Sequence, residues 1–154
     1  MMRQSSPCEN MPTLRKKEGG TAIITIEEAR TVISAAEQKA QEIGQPMNIA
    51  VVDAGRNLKA FARMEDAWLA SITISIDKAF TSASFKMSTR DLVDLTQPGQ
   101  PLFGLNTTNE GRIVIFAGGI PLERNGEVVG AIGVSGGTVD QDQEVAEAGV
   151  SVFQ

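Results

Sequence analysis

The sequence predicts one α+β domain, an antiparallel sheet with helices packed on it, and three features carry that prediction. The first is the stretch Gly118–Gly149, which reads as strand, turn, strand, glycine-rich loop and helix. The second is a helix opened by Thr25 with Glu28 three residues later, the pattern in which each side chain satisfies the other's backbone N–H. The third is a short hairpin over residues 48–64, lying between helical segments. In chain order the elements read α-β-β-α-α-β-β-β-α, a pattern of hairpins and packed helices rather than of parallel crossovers.

Residues 1–22 read as a flexible N-terminal tail, polar and without periodicity, and residues 23–154 as a single domain. The Arg15-Lys16-Lys17 run reads as a solvated patch. In the first helix Ile26, Ala29, Val32, Ile33, Ala36 and Ala40 share one face, and Ile43-Gly44 with Pro46 just beyond is a stop signal. Asn48–Val52 is a short apolar strand. Asp53–Asn57 is a turn, and Leu58–Met64 alternates as the returning strand. A second helix is expected from Glu65-Asp66 through Phe85, with Asp66 as cap and Leu69, Ile72, Ile76, Ala79, Phe80 and Ala83 at helical spacing. A short third helix is expected from Ser88 to Leu95, followed by the loop Gln97–Pro101. Gly111–Ala117, almost wholly apolar, reads as a strand. Asn125-Gly126 supplies the two positive-φ positions of a tight hairpin turn. Val128–Val134, β-branched and small by turns, reads as a strand buried on both faces. Ser135-Gly136-Gly137 breaks it, and Thr138 or Asp140 caps the last helix.

The 154 residues are 42% hydrophobic and 21% charged, enough to bury a real core. A net charge of −5 argues against nucleic acid, whose phosphates require a basic surface. Cys8 is the single cysteine, so no internal disulfide forms, and a reducing compartment is the expectation. No apolar run reaches the length of a membrane span, and the first residues carry charge where a signal peptide is apolar. A cytoplasmic location without membrane partners follows as an expectation. Histidine is absent, which removes serine–histidine triads, imidazole bases and ordinary zinc sites, and no metal site is expected.

The candidate residues each admit two readings. Asp53 is either an Asx-turn residue or a carboxylate at a pocket mouth, with Arg63 near it if the hairpin register is tight. Arg63 then either neutralises Asp53 or holds a substrate carboxylate. Lys78 either snorkels or sits desolvated, with a lowered pKa, as a base. Ser135, Gly136 and Gly137 precede a helix N-terminus and have the form of an anion site, though without the spacing of a phosphate loop. Asp140, Asp142 and Glu144 lack the calcium-loop pattern and read as solvated.

In order and register these elements resemble the GlcG/HbpS haem-binding family, which also occurs as the C-terminal domain of PduO-type cobalamin adenosyltransferases. The resemblance rests on VVDAGRNLKAFARMEDA at 51–67, ISIDKAFTSASFKMST at 74–89, QPGQPLFGLN at 97–106 and GRIVIFAGGIPLERNGEVVGAIGVSGGTVDQDQEVAEAG at 111–149. It implies a profilin-like fold with a five-stranded antiparallel sheet flanked by helices on both faces. It also implies assembly into a homo-oligomer of up to eight copies, and a small-molecule ligand, haem or a related cofactor, in a catabolic operon. Without histidine, an axial ligand to haem iron would be Met47, Met64, Met87, Cys8 or a lysine. The alternative expectation is a small catabolic enzyme, an isomerase or tautomerase of an unsaturated carboxylic acid, in which Asp53 or Lys78 moves the proton and Arg63 holds the carboxylate.

Overall fold

The computed structural model describes residues 23–154. The expected tail over 1–22, with Cys8 and the Arg15-Lys16-Lys17 run, lies outside the described residues. The elements are α1 (Ile26–Glu42), β1 (Asn48–Asp53), β2 (Leu58–Arg63), α2 (Ala70–Phe85), β3 (Gly119–Arg124), β4 (Glu127–Ser135) and α3 (Val139–Ser151), with short 3-10 turns between α2 and β3. The strands form one antiparallel sheet in the order β2-β1-β4-β3.

Local chemistry sets the ends of the elements. Thr25 Oγ1 accepts from the Glu28 N–H at 3.2 Å, and Glu28 Oε2 accepts from the Thr25 N–H at 2.8 Å. Thr138 and Gln141 repeat the device at the start of α3. Asn125 and Gly126 take φ of 52° and 79°, as a hairpin turn between β3 and β4 requires.

Strand alternation divides the core into two layers. Ile49 and Val51 of β1, with Ile132 and Val134 of β4, pack against Val32 and Ala36 of α1 and Val145 and Ala146 of α3. Val52 and Ala131 point the other way, onto Ala79 and Ala83 of α2. The sheet is therefore flanked by helices on both faces. Gly133 sets the closeness of α2: a Cβ there would collide with Ser75 O and lie 2.5 Å from Ala79 N.

Three expectations are corrected. The sheet has four strands among the described residues, not five, because residues 111–117 do not form a strand. That run crosses α2 instead, where the Val114 N–H donates to Thr81 Oγ1 at 3.0 Å and Arg112 Nε donates to Asp77 Oδ1 at 2.8 Å. Side chains of the helix, not a neighbouring strand, receive its polar groups. The second helix starts at Ala70 rather than at Glu65-Asp66. Asp66 lies at φ 65°, a left-handed turn position, and no side chain caps the helix. The segment 88–95 is two 3-10 turns, Thr89–Leu92 and Asp94–Thr96, rather than one helix. Ser88 caps the first by accepting from the Arg90 N–H.

Candidate functional site

An open, mostly apolar groove of about 490 Å³ runs between α2 and the segment that crosses it, within the usual volume of small-molecule sites. Ile74 and Asp77 form one wall; Asn106, Gly111 and the run Ile113–Phe116 form the other. The crossing segment is fixed from beneath by Thr81 and Asp77; Ile113 and Ala117 are buried, whereas Val114 and Ile115 stay half-buried at the groove. Phe116 remains 39% exposed.

A smaller cleft of about 190 Å³ adjoins the groove and is lined by Phe80, Asn109, Glu110 and Arg112. The Asp77–Arg112 ion pair stands between the two, since Asp77 lines the groove and Arg112 the cleft. Asn109, Glu110 and Gly111 hold φ of 50°, 60° and 75° in succession. Left-handed backbone costs a non-glycine residue about 1–2 kcal/mol, and such strain concentrates at ligand sites.

Behind Phe116 lies a buried ion pair. Lys78 Nζ is 2.7 Å from Asp142 Oδ2 and donates to Val134 O at 2.8 Å, and it sits 5.0 Å from the centre of the Phe116 ring. Lys78 is fully buried and Asp142 is 3% exposed. Burial lowers the Lys78 ammonium pKa against the opposing pull of Asp142. Burial likewise raises the Asp142 carboxyl above the usual carboxylate value, against Lys78 and the N–H groups of Gly137 and Gly136. The pair ties α2 to α3, helices on opposite faces of the sheet, past the end of β4.

The structure separates the residues that the sequence grouped. Asn48 pairs with Arg63, whereas Asp53, five residues along β1, faces Gly130, so Asp53 and Arg63 occupy opposite ends of the hairpin. Asp53 is an Asx-turn residue: its Oδ1 accepts from the N–H groups of Gly55 and Asn57 at 2.9 and 3.0 Å. Arg63 Nε donates to Ala67 O at 3.4 Å. Lys78 bonds Val134 O, next to Ser135, which shares the Arg63 end of the sheet through Asn48. Asp53 and Arg63 therefore do not converge on one pocket, while Lys78 lies toward the Arg63 end, buried against Asp142.

The loop Ser135-Gly136-Gly137 is filled by the chain itself. The Gly137 N–H donates to Asp142 Oδ1 at 2.9 Å, and Ser135 is buried. A carboxylate does sit at this helix N-terminus, but it is the protein's own. This corrects the reading of Asp142 as solvated; Asp140, 87% exposed in its pair with Arg90, fits that reading. Sequence reasoning missed the groove, because its wall is the run 111–117 taken for a strand. It also missed Arg112, whose only signal was a cation at the edge of an apolar run.

An antiparallel sheet between helical layers, with an apolar groove along one helix, defines a domain of the α+β class. The family model described as "Haem degrading protein HbpS-like" matches residues 24–151, and the chain belongs to this HbpS-like family. An uncharacterised 15.0 kDa protein from the dhaT-dhaS intergenic region of Citrobacter freundii is 46% identical over 132 residues, which is 86% of this chain and 93% of that protein. The crystal structure of Klebsiella pneumoniae protein ORFY superposes with a TM-score of 0.84 at 41% identity, covering 92% of this chain and all of that one. A crystal structure described as a PduOC:heme complex gives 0.83 at 33% identity, covering 86% of this chain and 96% of that one.

The donor set bears on the haem that this family name implies. The groove offers an apolar wall of the chemistry that a porphyrin face requires. It offers no methionine, cysteine or lysine, and its polar side chains are Asp77, already bonded to Arg112, and Asn106. Met47 is fully buried in the core, and Met64 is packed against that core. Lys78 is fully buried, with its ammonium bonded to Val134 O and Asp142 Oδ2. Cys8 lies outside the described residues. The groove fits the ring and not a nitrogen or sulfur axial donor from the same protomer.

Proposed function

We propose that the protein is a small-ligand-binding protein that takes a flat, largely apolar ligand of the haem type in the groove between α2 and the 105–116 segment. The observation that carries this reading is the apolar wall Val114–Phe116, left half-buried to exposed beside α2 and anchored by the Val114 N–H on Thr81 Oγ1, with Ile113 buried at its base. The family description and the haem complex of a 33%-identical relative support it. Binding rests on apolar contact along the groove, with Lys78, Asp142 and the 135–137 loop as the frame behind Phe116.

Titration of the purified protein with haemin tests the reading. A saturable, shifted Soret band is expected, together with a loss of at least about tenfold in affinity for Val114→Asp, since a buried carboxylate opposes an apolar ligand. A spectrum like that of free haemin, or a Val114→Asp variant that binds as the parent does, refutes it.

A homo-oligomer is proposed on separate grounds. Trp68, Leu69 and Phe103 are 66%, 70% and 67% exposed, large apolar side chains of the kind that subunit contacts cover. Light scattering after size exclusion is expected to give a mass above 16.4 kDa, reduced by Trp68→Glu. A monomeric mass for the parent refutes the assembly.

A further inference from the structure

We propose that Arg56 and Arg112, stacked on Phe80, form an anion site that takes a carboxylate group of the ligand seated in the adjoining groove. The proposal rests on the groove reading above and adds to it the chemical class of ligand: an apolar ring system bearing an acidic group.

The geometry is specific to these three residues. The guanidinium carbon of Arg112 lies 3.9 Å from the centre of the Phe80 ring and that of Arg56 lies 5.0 Å from the same point. A cation over an aromatic face is favourable, and one guanidinium satisfies it. Asp77 pairs with Arg112, and among the described residues no carboxylate pairs with the Arg56 guanidinium, so two cations on one ring have a single counter-charge. A guanidinium holds a carboxylate through paired N–H groups, and two guanidinium groups converge here on one aromatic ring.

Hydrogen bonding leaves the donors available. Among the described residues Arg112 bonds only through Nε, to Asp77, so its two terminal nitrogens are uncommitted. The Arg56 backbone N–H donates to Asp53 O, while its guanidinium has no hydrogen bond or ion pair among the described residues and lies against the Phe80 ring. Asp53, which shares its turn, spends its carboxylate on turn N–H groups.

The surroundings agree. Arg56, at φ 67°, reaches the site through the Phe80 ring, which lines the cleft, and the rim residues Asn109 and Glu110 are also left-handed. Arg112 follows Gly111 directly and precedes Ile113, both of which line the groove, so a ligand in the groove reaches the arginines across the Asp77–Arg112 pair. Glu110 also lines the cleft, and its carboxylate opposes an entering anion.

The test compares haemin, which carries two carboxylates, with haemin dimethyl ester, which has the same ring and none. The parent protein is expected to bind haemin at least about tenfold more tightly than the ester. Arg56→Asn, which suits a left-handed position and so spares the turn, is expected to remove most of that difference while leaving ester affinity unchanged. Arg56→Lys restores part of it, and Glu110→Gln widens it. Equal affinity for the two porphyrins, or an Arg56→Asn variant that keeps the full preference, overturns this proposal and leaves the groove reading standing. Failure of both porphyrins to bind overturns the two together.

Discussion

Replacing Lys78 by methionine removes the ammonium from a closed site and leaves Asp142, 3% exposed, without its partner. Val134 O loses a donor at 2.8 Å and Asp142 Oδ2 one at 2.7 Å. Breaking one side of a buried pair costs about 3–5 kcal/mol. The lower end applies here, because the Gly137 N–H still serves Asp142 Oδ1 and burial already favours the protonated carboxyl. For a domain of this size a loss of about 3 kcal/mol lowers Tm by roughly 10 °C. The double variant Lys78→Met/Asp142→Leu leaves no unpaired charge. Its stability is expected within about 1 kcal/mol of the parent, the N–H groups of Gly137 and Gly136 losing the carboxylate that accepts from them. Urea unfolding followed by far-UV circular dichroism measures both. A single variant within about 1 kcal/mol of the parent, or a double variant as unstable as the single, refutes the argument that the pair is closed to solvent and held mutually.

The remaining predictions concern pH, strain and iron. Asp142, raised above its unfolded value of 3.8, contributes stability below that pH and loses it as pH rises through the folded value. Lys78, lowered from 10.5, contributes above that pH and loses the contribution as pH falls through its folded value. The advantage of the uncharged double variant over the parent should therefore be greatest near neutral pH and shrink toward pH 4 and pH 10.5; an advantage that is flat or smallest at neutral pH contradicts this. Glu110→Val places a β-branched residue at φ 60° and should cost about 1–2 kcal/mol in urea unfolding, whereas Glu110→Gly should not destabilise. Equal effects would mean that the left-handed turn is not strained. Iron-free protoporphyrin should bind within about threefold of haemin in a fluorescence-quenching titration, because the groove supplies contact and no axial nitrogen or sulfur donor; a hundredfold preference for haemin contradicts the donor-set argument.

Much of the frame was legible in the sequence because its signals are local. The Thr25–Glu28 box, the Asn125-Gly126 turn and the doubly buried Val128–Val134 strand each depend on residues within a few positions of one another. The site was less legible because its geometry is not local. Lys78 and Asp142 are 64 residues apart, and nothing near Asp142 in the chain marks it as buried rather than as one of three exposed acids. An apolar run such as 111–117 gives the same pattern whether it pairs as a strand or lies across a helix, and the deciding groups, Thr81 and Asp77, belong to a different element. Asp53 and Arg63 were joined by assuming that a hairpin brings its ends together. The register joins Asn48 to Arg63 and sends Asp53 to the turn.

Hydrogen–deuterium exchange with and without haemin measures the central claim most directly, since it reports where on the chain the ligand sits. The account predicts slowed exchange in peptides covering 105–116 and the first half of α2. It predicts no change at the separate hollow formed by Glu27, Thr31 and Val152–Gln154. Protection confined to that hollow, or to the 135–137 loop, with residues 105–116 unchanged, would contradict it.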